Sequence, residues 1–369
     1  MGIPAETFAT DALFQPLKLG RINVANRMAM APLTRSRAND ALEPTDMVVE
    51  YYRQRASVGL IIAEATQISP TAQGYTHTPG IHTPEQIAAW KQVTDAVHAQ
   101  GGKIFLQLWH TGRMSHNAFQ PNQQAPVAPS SIAAKAKTYI VGQGYVNCAV
   151  PRALETAEIA GVVNDFRQAA ANAIEAGFDG VEIHGAHGYL IDAFLRDGSN
   201  HRTDPYGGSI ENRARFLLEV MAAVTQEIGA DRVGIRLSPV SPVNDSSESN
   251  PQPLFEHVVR ELEKLHPVYI HVVEGHTGGP RDNAPFDYEA LRRLYSGVWM
   301  VNNGYTKEMA VDALRSGRAD MVSFGRAMIT TPDLPRRFRD NLPLNEPFAD
   351  APVYGGTGPH GYTDYPALP

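Results

Sequence analysis

Eight short apolar runs, rich in β-branched residues, recur along this chain, and most are followed by a helical pattern. They span 26–31 (NRMAMA), 58–63 (VGLIIA), 103–109 (KIFLQLW), 180–184 (GVEIH), 233–237 (VGIRL), 268–273 (VYIHVV), 298–302 (VWMVN) and 321–324 (MVSF). Near-continuous apolar runs of this length fit parallel strands covered on both faces. Thr83-Pro84-Glu85-Gln86 combines an N-cap threonine, a first-turn proline and a capping-box glutamine, and Gly101 ends the helix it starts. Thr156 opens the next helix, with Ile159, Val162, Val163, Phe166, Ala170, Ala173 and Ile174 on one face and Gly177 at its end. Ile210, Ala214, Leu217, Met221, Val224 and Ile228 form a core-facing stripe, and 306–317 reads as another capped helix.

Strand–helix alternation repeated eight times predicts a single (β/α)8 TIM barrel, and 369 residues suit one such domain spanning 1–369 with insertions. A doubly wound open sheet is the rival that periodicity alone leaves standing. Two stretches break the pattern. A capping excursion at about 110–155, after the third strand, is rich in Pro, Gln and Ser, and 241–253 (SPVNDSSESNPQP) reads as a polar loop.

Composition narrows the class of function. Lys and Arg number 32 against 39 Asp and Glu, a net charge of −7 with no basic run, which disfavours a nucleic-acid binder. Cys148 is the only cysteine, so neither an intrachain disulfide nor a cysteine-ligated cluster can form. The first 20 residues lack a basic head and apolar core, and no stretch approaches the roughly 20 apolar residues that cross a bilayer. A cytoplasmic protein with no membrane partner is expected.

Barrel enzymes place their chemistry in the loops beyond the strand C-termini. Pro32-Leu33-Thr34 follows the first run, Gln107 and Trp109 close the third, His184-Gly-Ala-His187-Gly-Tyr189 follows the fourth, and Arg236 stands near the end of the fifth. Asn303-Gly304 and Gly325-Arg326 follow the seventh and eighth, where barrels often bind phosphate; ordinary turns and a solvated arginine are the plain alternative. His184 and His187 suit metal ligation, a structural polar pair, or neutral donors to a substrate oxygen; a metal normally needs a third ligand. Tyr189 is a proton-donor candidate or a core tyrosine. Gly356-Thr-Gly358-Pro-His-Gly361 matches the dinucleotide fingerprint GxGxxG, but it follows no strand and opens no helix, and is rejected.

The segments NRMAMAPLTRSRA (26–38), EATQISPTAQGY (64–75), QLWHTGR (107–113), VEIHGAHGYLIDAFLRDGSNHRTDPYGGSIENRARF (181–216), GIRLSP (234–239), FGRAMI (324–329) and GYTDYPAL (361–368) resemble the old yellow enzyme family. The likeness runs in order from about residue 13 to the C-terminus and looks most like the bacterial N-ethylmaleimide and glycerol trinitrate reductases. It implies a barrel holding non-covalent FMN, reduced by NADPH or NADH. By position, Pro32, Leu33, Thr34, Ala65, Gln107 and Arg236 would meet the flavin ring, and Asn303, Gly304, Gly325 and Arg326 its phosphate. Tyr75, Trp109 and Tyr354 would line the substrate pocket, with His184 and His187 binding the substrate oxygen and Tyr189 donating the proton.

The resemblance implies reduction of the C=C bonds of enones and maleimides, with nitroalkenes or nitrate esters as further acceptors and no metal. The expected partners are small electrophilic alkenes or nitro compounds, and the expected state is a monomer or weak homo-oligomer. A 2,4-dienoyl-CoA reductase-like chain would need a cysteine cluster that is missing here. A metal-dependent hydrolase barrel and a non-catalytic flavin-binding protein are the rivals from other classes.

Overall fold

The computed structural model describes residues 12–281 and 285–368. Residues 1–11, part of the stretch read for an export leader, lie outside the described residues, as do both ends of the 1–369 span.

Eight strands close in chain order into a parallel barrel: β1 (Met28–Met30), β2 (Leu60–Gln67), β3 (Ile104–Trp109), β4 (Gly180–Gly185), β5 (Val233–Leu237), β6 (Tyr269–Val273), β7 (Val298–Asn302) and β8 (Met321–Phe324). β8 pairs back onto β1, Val322 opposite Met28, and this closure excludes the open doubly wound sheet. The principal helices between them are α1 (Asp46–Arg53), α2 (Pro84–Ala99), α3 (Thr156–Glu175), α4 (Ile210–Ile228), α5 (Pro251–Leu265), α6 (Tyr288–Arg293) and α7 (Lys307–Arg315), with α8 (Leu334–Asp340) after β8.

The period of two along each strand sorts side chains between two cores. Met28, Met30, Ile61, Ile104, Leu106, Val181, Ile183 and Ile235 point outward, into the cluster shared with the helices. Ala29, Leu60, Ile62, Phe105, Tyr269, Met300 and Met321 form a separate cluster with Leu19 and Val24 of an N-terminal hairpin (Leu17–Leu19 against Ile22–Val24) that plugs the barrel. Two glycines make room for its rings. A Cβ on Gly180 would lie 2.5 Å from Phe105, and one on Gly234 would lie 2.3 Å from Tyr269. One step further along the same faces the inward positions turn polar: Gln107, Glu182, Arg236, His271, Asn302 and Ser323, all buried. The barrel is an apolar plug at its N-terminal end and a polar cup at the other.

Two boundaries differ from the sequence reading. The second strand runs to Gln67, past the 58–63 run, with a register break between Ala63 and Thr66 that pure apolarity does not reveal. The loop expected over 241–253 stops at Asn250. Pro251 sits in the first turn of α5, where its missing N–H would have had no partner. Thr156 opens α3 as read, and Glu155 before it is the N-cap, in a reciprocal box with Glu158.

The excursion contains a parallel pair (Val127–Ala128 with Arg152–Ala153) and an antiparallel hairpin (Lys137–Ile140 with Gly144–Asn147). The GxGxxG stretch forms neither strand nor helix. It is a strap: Arg37 donates to the Gly358 carbonyl at 2.6 Å, Arg35 to those of Gly361 and Val353 at 2.9 and 2.8 Å, and Tyr362 stacks on Tyr51 at 4.2 Å.

Candidate active site

The strand C-termini, the strap and the hairpin enclose a cavity of about 1110 Å³. All sixteen residues singled out from the sequence line it: Pro32, Leu33, Thr34, Ala65, Tyr75, Gln107, Trp109, His184, His187, Tyr189, Arg236, Asn303, Gly304, Gly325, Arg326 and Tyr354. At the rim, Tyr139, Val141 and Tyr145 on the hairpin face Val353 and Tyr354 on the strap, and these five apolar side chains are exposed.

The deep wall is built from β3 and β4. Trp109, last residue of β3, stacks on Tyr189 with centroids 4.8 Å apart and planes 18° from parallel. His184 meets both rings edge-on, at 6.1 and 4.9 Å, and His187 lies 5.5 Å from His184. The chain turns sharply here: His187 has φ +60°, Gly188 has φ +74°, and the turn is pinned where the His187 N–H donates to Ser238 Oγ at 2.9 Å. Tyr75 brings its hydroxyl within 3.2 Å of that of Tyr189.

The two imidazoles are held differently. The main-chain N–H of Ala186 donates to Nδ1 of His184 at 3.3 Å, so the ring proton of neutral His184 sits on Nε2. Nε2 of His187 meets the Thr277 hydroxyl at 3.0 Å, and that hydroxyl meets Ser241 Oγ at 2.9 Å. With Nε2 engaged, Nδ1 of His187 is the nitrogen left for a ligand. Burial pushes both histidines well below their ordinary value, and Arg236 adds to the effect on each. Both are neutral at physiological pH. Burial raises the Tyr189 phenol, so it keeps its proton.

Arg236 on β5 donates to Asn302 Oδ1 at 2.8 Å, while its buried Nε has no protein partner. An unpartnered guanidinium N–H beside the cavity calls for an acceptor. Gly304, at φ +67°, has open space where a side chain would be, and at Gly325 a Cβ would only touch Leu33 at 3.5 Å. These positions leave room for close backbone approach to a phosphate. The Asn303 side chain is engaged elsewhere: it accepts from Gly278 N–H at 2.9 Å and donates to the carbonyls of Glu274 and His276 at 2.6 and 2.8 Å. What Asn303 offers a phosphate is its main chain.

The sequence reading gave no site role to Thr277 or to Asn244, whose Asn244-Asp-Ser246 sequon it set aside. Thr277 lies beyond β6, a strand end that offered no motif. Asn244 lines the cavity, donates to the His187 carbonyl at 2.9 Å, and its amide lies beside the Tyr189 hydroxyl, whose ionisation it favours. Its position in the loop after β5 was the available signal. Among the described residues, no group of three or more His, Cys, Asp or Glu side chains is arranged to hold a metal ion, and no helix is long and apolar enough to cross a membrane.

Residues 12–345 match the model of the NADH:flavin oxidoreductase / NADH oxidase family. The chain is 48% identical over 364 residues to putative 12-oxophytodienoate reductase 11 of Oryza sativa, covering 98% of this chain and 99% of that protein. It is 45% identical to 12-oxophytodienoate reductase 2 of Arabidopsis thaliana, covering 99% and 98%. Among solved structures, morphinone reductase in complex with tetrahydroNAD superposes with a TM-score of 0.91 at 47% identity, covering 97% of this chain and 98% of that one. The old yellow enzyme homologue from Zymomonas mobilis gives 0.92 at 42%, covering 96% and 99%.

The chain belongs to the old yellow enzyme family. It is an oxidoreductase whose cofactor is FMN, with a nicotinamide as reductant. The cup fits that cofactor: an unpartnered cationic N–H on the polar floor, glycine at the two turns beyond β7 and β8, and a volume just above the usual range of single-ligand pockets, which leaves space for a substrate.

Proposed function

We propose that this old yellow enzyme reduces the C=C bonds of activated alkenes, enones and maleimides first among them, with nitroalkenes and nitrate esters as further acceptors. The observation that carries the reading is the convergence of two neutral imidazoles and one protonated phenol on the wall of one cavity. FMN, when bound, would supply two-electron hydride chemistry between the nicotinamide and the alkene.

The protein's part is to bind, polarise and protonate. Nε2–H of His184 and the cavity-side nitrogen of His187 hold the acceptor's carbonyl or nitro oxygen. Neutral donors suit this role because they strengthen as negative charge builds on that oxygen, yet do not neutralise it in the ground state. Tyr189, flat against Trp109, donates its proton to the α-carbon. Tyr75 and Asn244 take up the charge left on the phenolate through hydrogen bonds. Arg236 would place a positive charge beside the bound flavin, favouring its electron-rich reduced form. Pro32, Leu33, Thr34, Ala65 and Gln107 would hold the ring, and the main chain at Asn303, Gly304 and Gly325, with Arg326, would hold the phosphate. Tyr75 and Trp109 line the substrate's side of the pocket. The exposed apolar rim that includes Tyr354 suits an uncharged, hydrophobic acceptor.

Turnover of 2-cyclohexenone with NADPH in D2O tests the reading. The expected product carries deuterium at the α-carbon and protium at the β-carbon. A holoenzyme that oxidises NADPH but returns the enone unreduced refutes it.

A further inference from the structure

Beneath the cavity floor, four buried side chains form a hydrogen-bonded chain that surfaces at two points of the wall. Gln107 Nε2 donates to Oε1 of Glu182 at 2.7 Å, the other carboxylate oxygen meets Nδ1 of His271 at 2.8 Å, and Nε2 of His271 meets the Ser323 hydroxyl at 2.7 Å. Each is at most 1% exposed. The end residues, Gln107 and Ser323, line the cavity, while Glu182 and His271 do not.

The direction of these bonds follows from what each group can do. An ionised carboxylate only accepts, so Glu182 fixes the Gln107 amide with its N–H toward the carboxylate and takes a proton-bearing nitrogen from His271. Burial holds His271 below its ordinary value; Glu182 opposes that shift and Arg236 adds to it, and the ring is neutral. With its one proton on Nδ1, Nε2 is a bare lone pair, and the Ser323 hydroxyl hydrogen fills it. Both ends are thereby turned the same way: Gln107 offers Oε1 to the cavity, and Ser323 offers oxygen lone pairs. A single buried carboxylate makes two separate wall positions into acceptors.

We propose that Glu182 is a positioning residue for the flavin: through Gln107 and the His271–Ser323 arm it gives the cavity floor acceptors for the N–H and O–H donors of FMN, and its buried negative charge offsets that of Arg236 and restrains flavin reduction. This rests on the flavin ring lying against Gln107, as in the function proposed above. Glu182 and Arg236 sit on adjacent strands, β4 and β5, and the Glu182 charge favours the charged form of Arg236. Neutralising Glu182 leaves Arg236 unopposed beside the ring, and a glutamine in its place lets the Gln107 amide turn over.

The test is the midpoint potential of the bound FMN and its dissociation constant, measured on wild-type, Glu182→Gln and Glu182→Asp holoenzymes. In Glu182→Gln the ratio of affinities for reduced over oxidised FMN is expected to rise at least tenfold, a positive shift of about 30 mV for a two-electron couple, with several-fold weaker binding of oxidised FMN. Glu182→Asp keeps the charge and is expected to hold a near wild-type potential. A Glu182→Gln protein that melts earlier but keeps the wild-type potential and FMN affinity overturns the proposal. Should that variant not accumulate, Ser323→Ala leaves the carboxylate in place and must still weaken FMN binding several-fold; an unchanged constant overturns the acceptor role. Absence of FMN binding by the wild type would instead refute the cofactor assignment itself.

Discussion

Tyr189 lies flat against Trp109, and its hydroxyl stands 3.2 Å from that of Tyr75. The stack fixes where the phenol points, and the second hydroxyl adjusts how readily it gives up its proton. Tyr75 favours ionisation of Tyr189 against the opposing effect of burial. Tyr75→Phe is therefore expected to slow enone-driven reoxidation of the reduced enzyme about three- to tenfold, the worth of about one hydrogen bond. The solvent isotope effect on that step should rise. Reduction by NADPH should not change.

The neutral state of the histidine pair has a pH signature. Burial, aided by the Arg236 charge, holds both rings well below the usual histidine range. Affinity of the oxidised holoenzyme for p-chlorophenol, bound as its phenolate and followed by its long-wavelength absorbance, is expected to rise without a break by about tenfold per pH unit from pH 6 to 8, the slope of the ligand's own proton release. An inflection near 6.5 would mean that an ordinary histidine titrates in the site.

His184→Ala removes one of the two proposed oxygen-binding donors. A loss of about ten- to a hundredfold in p-chlorophenol affinity is expected, the range for a hydrogen bond to a charged partner. Unchanged affinity on titration would take His184 out of the oxygen site.

Thr277 orients His187 by its hydroxyl alone. Thr277→Val keeps the shape and is expected to raise KM for 2-cyclohexenone about fivefold, whereas Thr277→Ser restores it. Equal KM values in the two variants would remove the hydroxyl from the account.

Glu64 on β2 is buried against the Arg35 main-chain N–H at 3.2 Å and the Tyr52 hydroxyl at 3.3 Å, and burial raises its carboxyl from 4.5 to about 7. Between those values the folded chain keeps a proton that the unfolded chain has lost. Stability therefore falls as pH rises through this window, by about 3 kcal/mol in all, and levels off above pH 7. Thermal unfolding across pH 4.5–8 should show this slope in the wild type and a shallower one in Glu64→Gln.

The barrel was legible because its signal is periodic: eight apolar runs, with caps such as Thr83 and Gln86 placed where the helices start. Boundaries were less so. Pro251 reads as a loop residue until α5 is seen to begin on it, and the register break after Ala63 has no compositional mark. The cavity-lining residues were legible where they sit in dense motifs, as in HGAHGY. Thr277, Asn244 and Glu182 were not, because their importance lies in contacts across strands. Thr277 reaches His187 over 90 positions of sequence, and Glu182 meets His271 over 89. Only chain closure brings such residues together. The strap likewise shows why GxGxxG fails as a nucleotide motif: it opens no helix whose N–H groups could meet a pyrophosphate, and Arg35 and Arg37 hold its carbonyls instead.

The assignment of Tyr189 as proton donor is tested most directly by stopped-flow measurement of the two half-reactions in Tyr189→Phe. Reduction by NADPH should proceed at the wild-type rate, while reoxidation by 2-cyclohexenone should fall by about 10² or more, the usual worth of a positioned general acid. Wild-type reoxidation beside a crippled reductive step would contradict it.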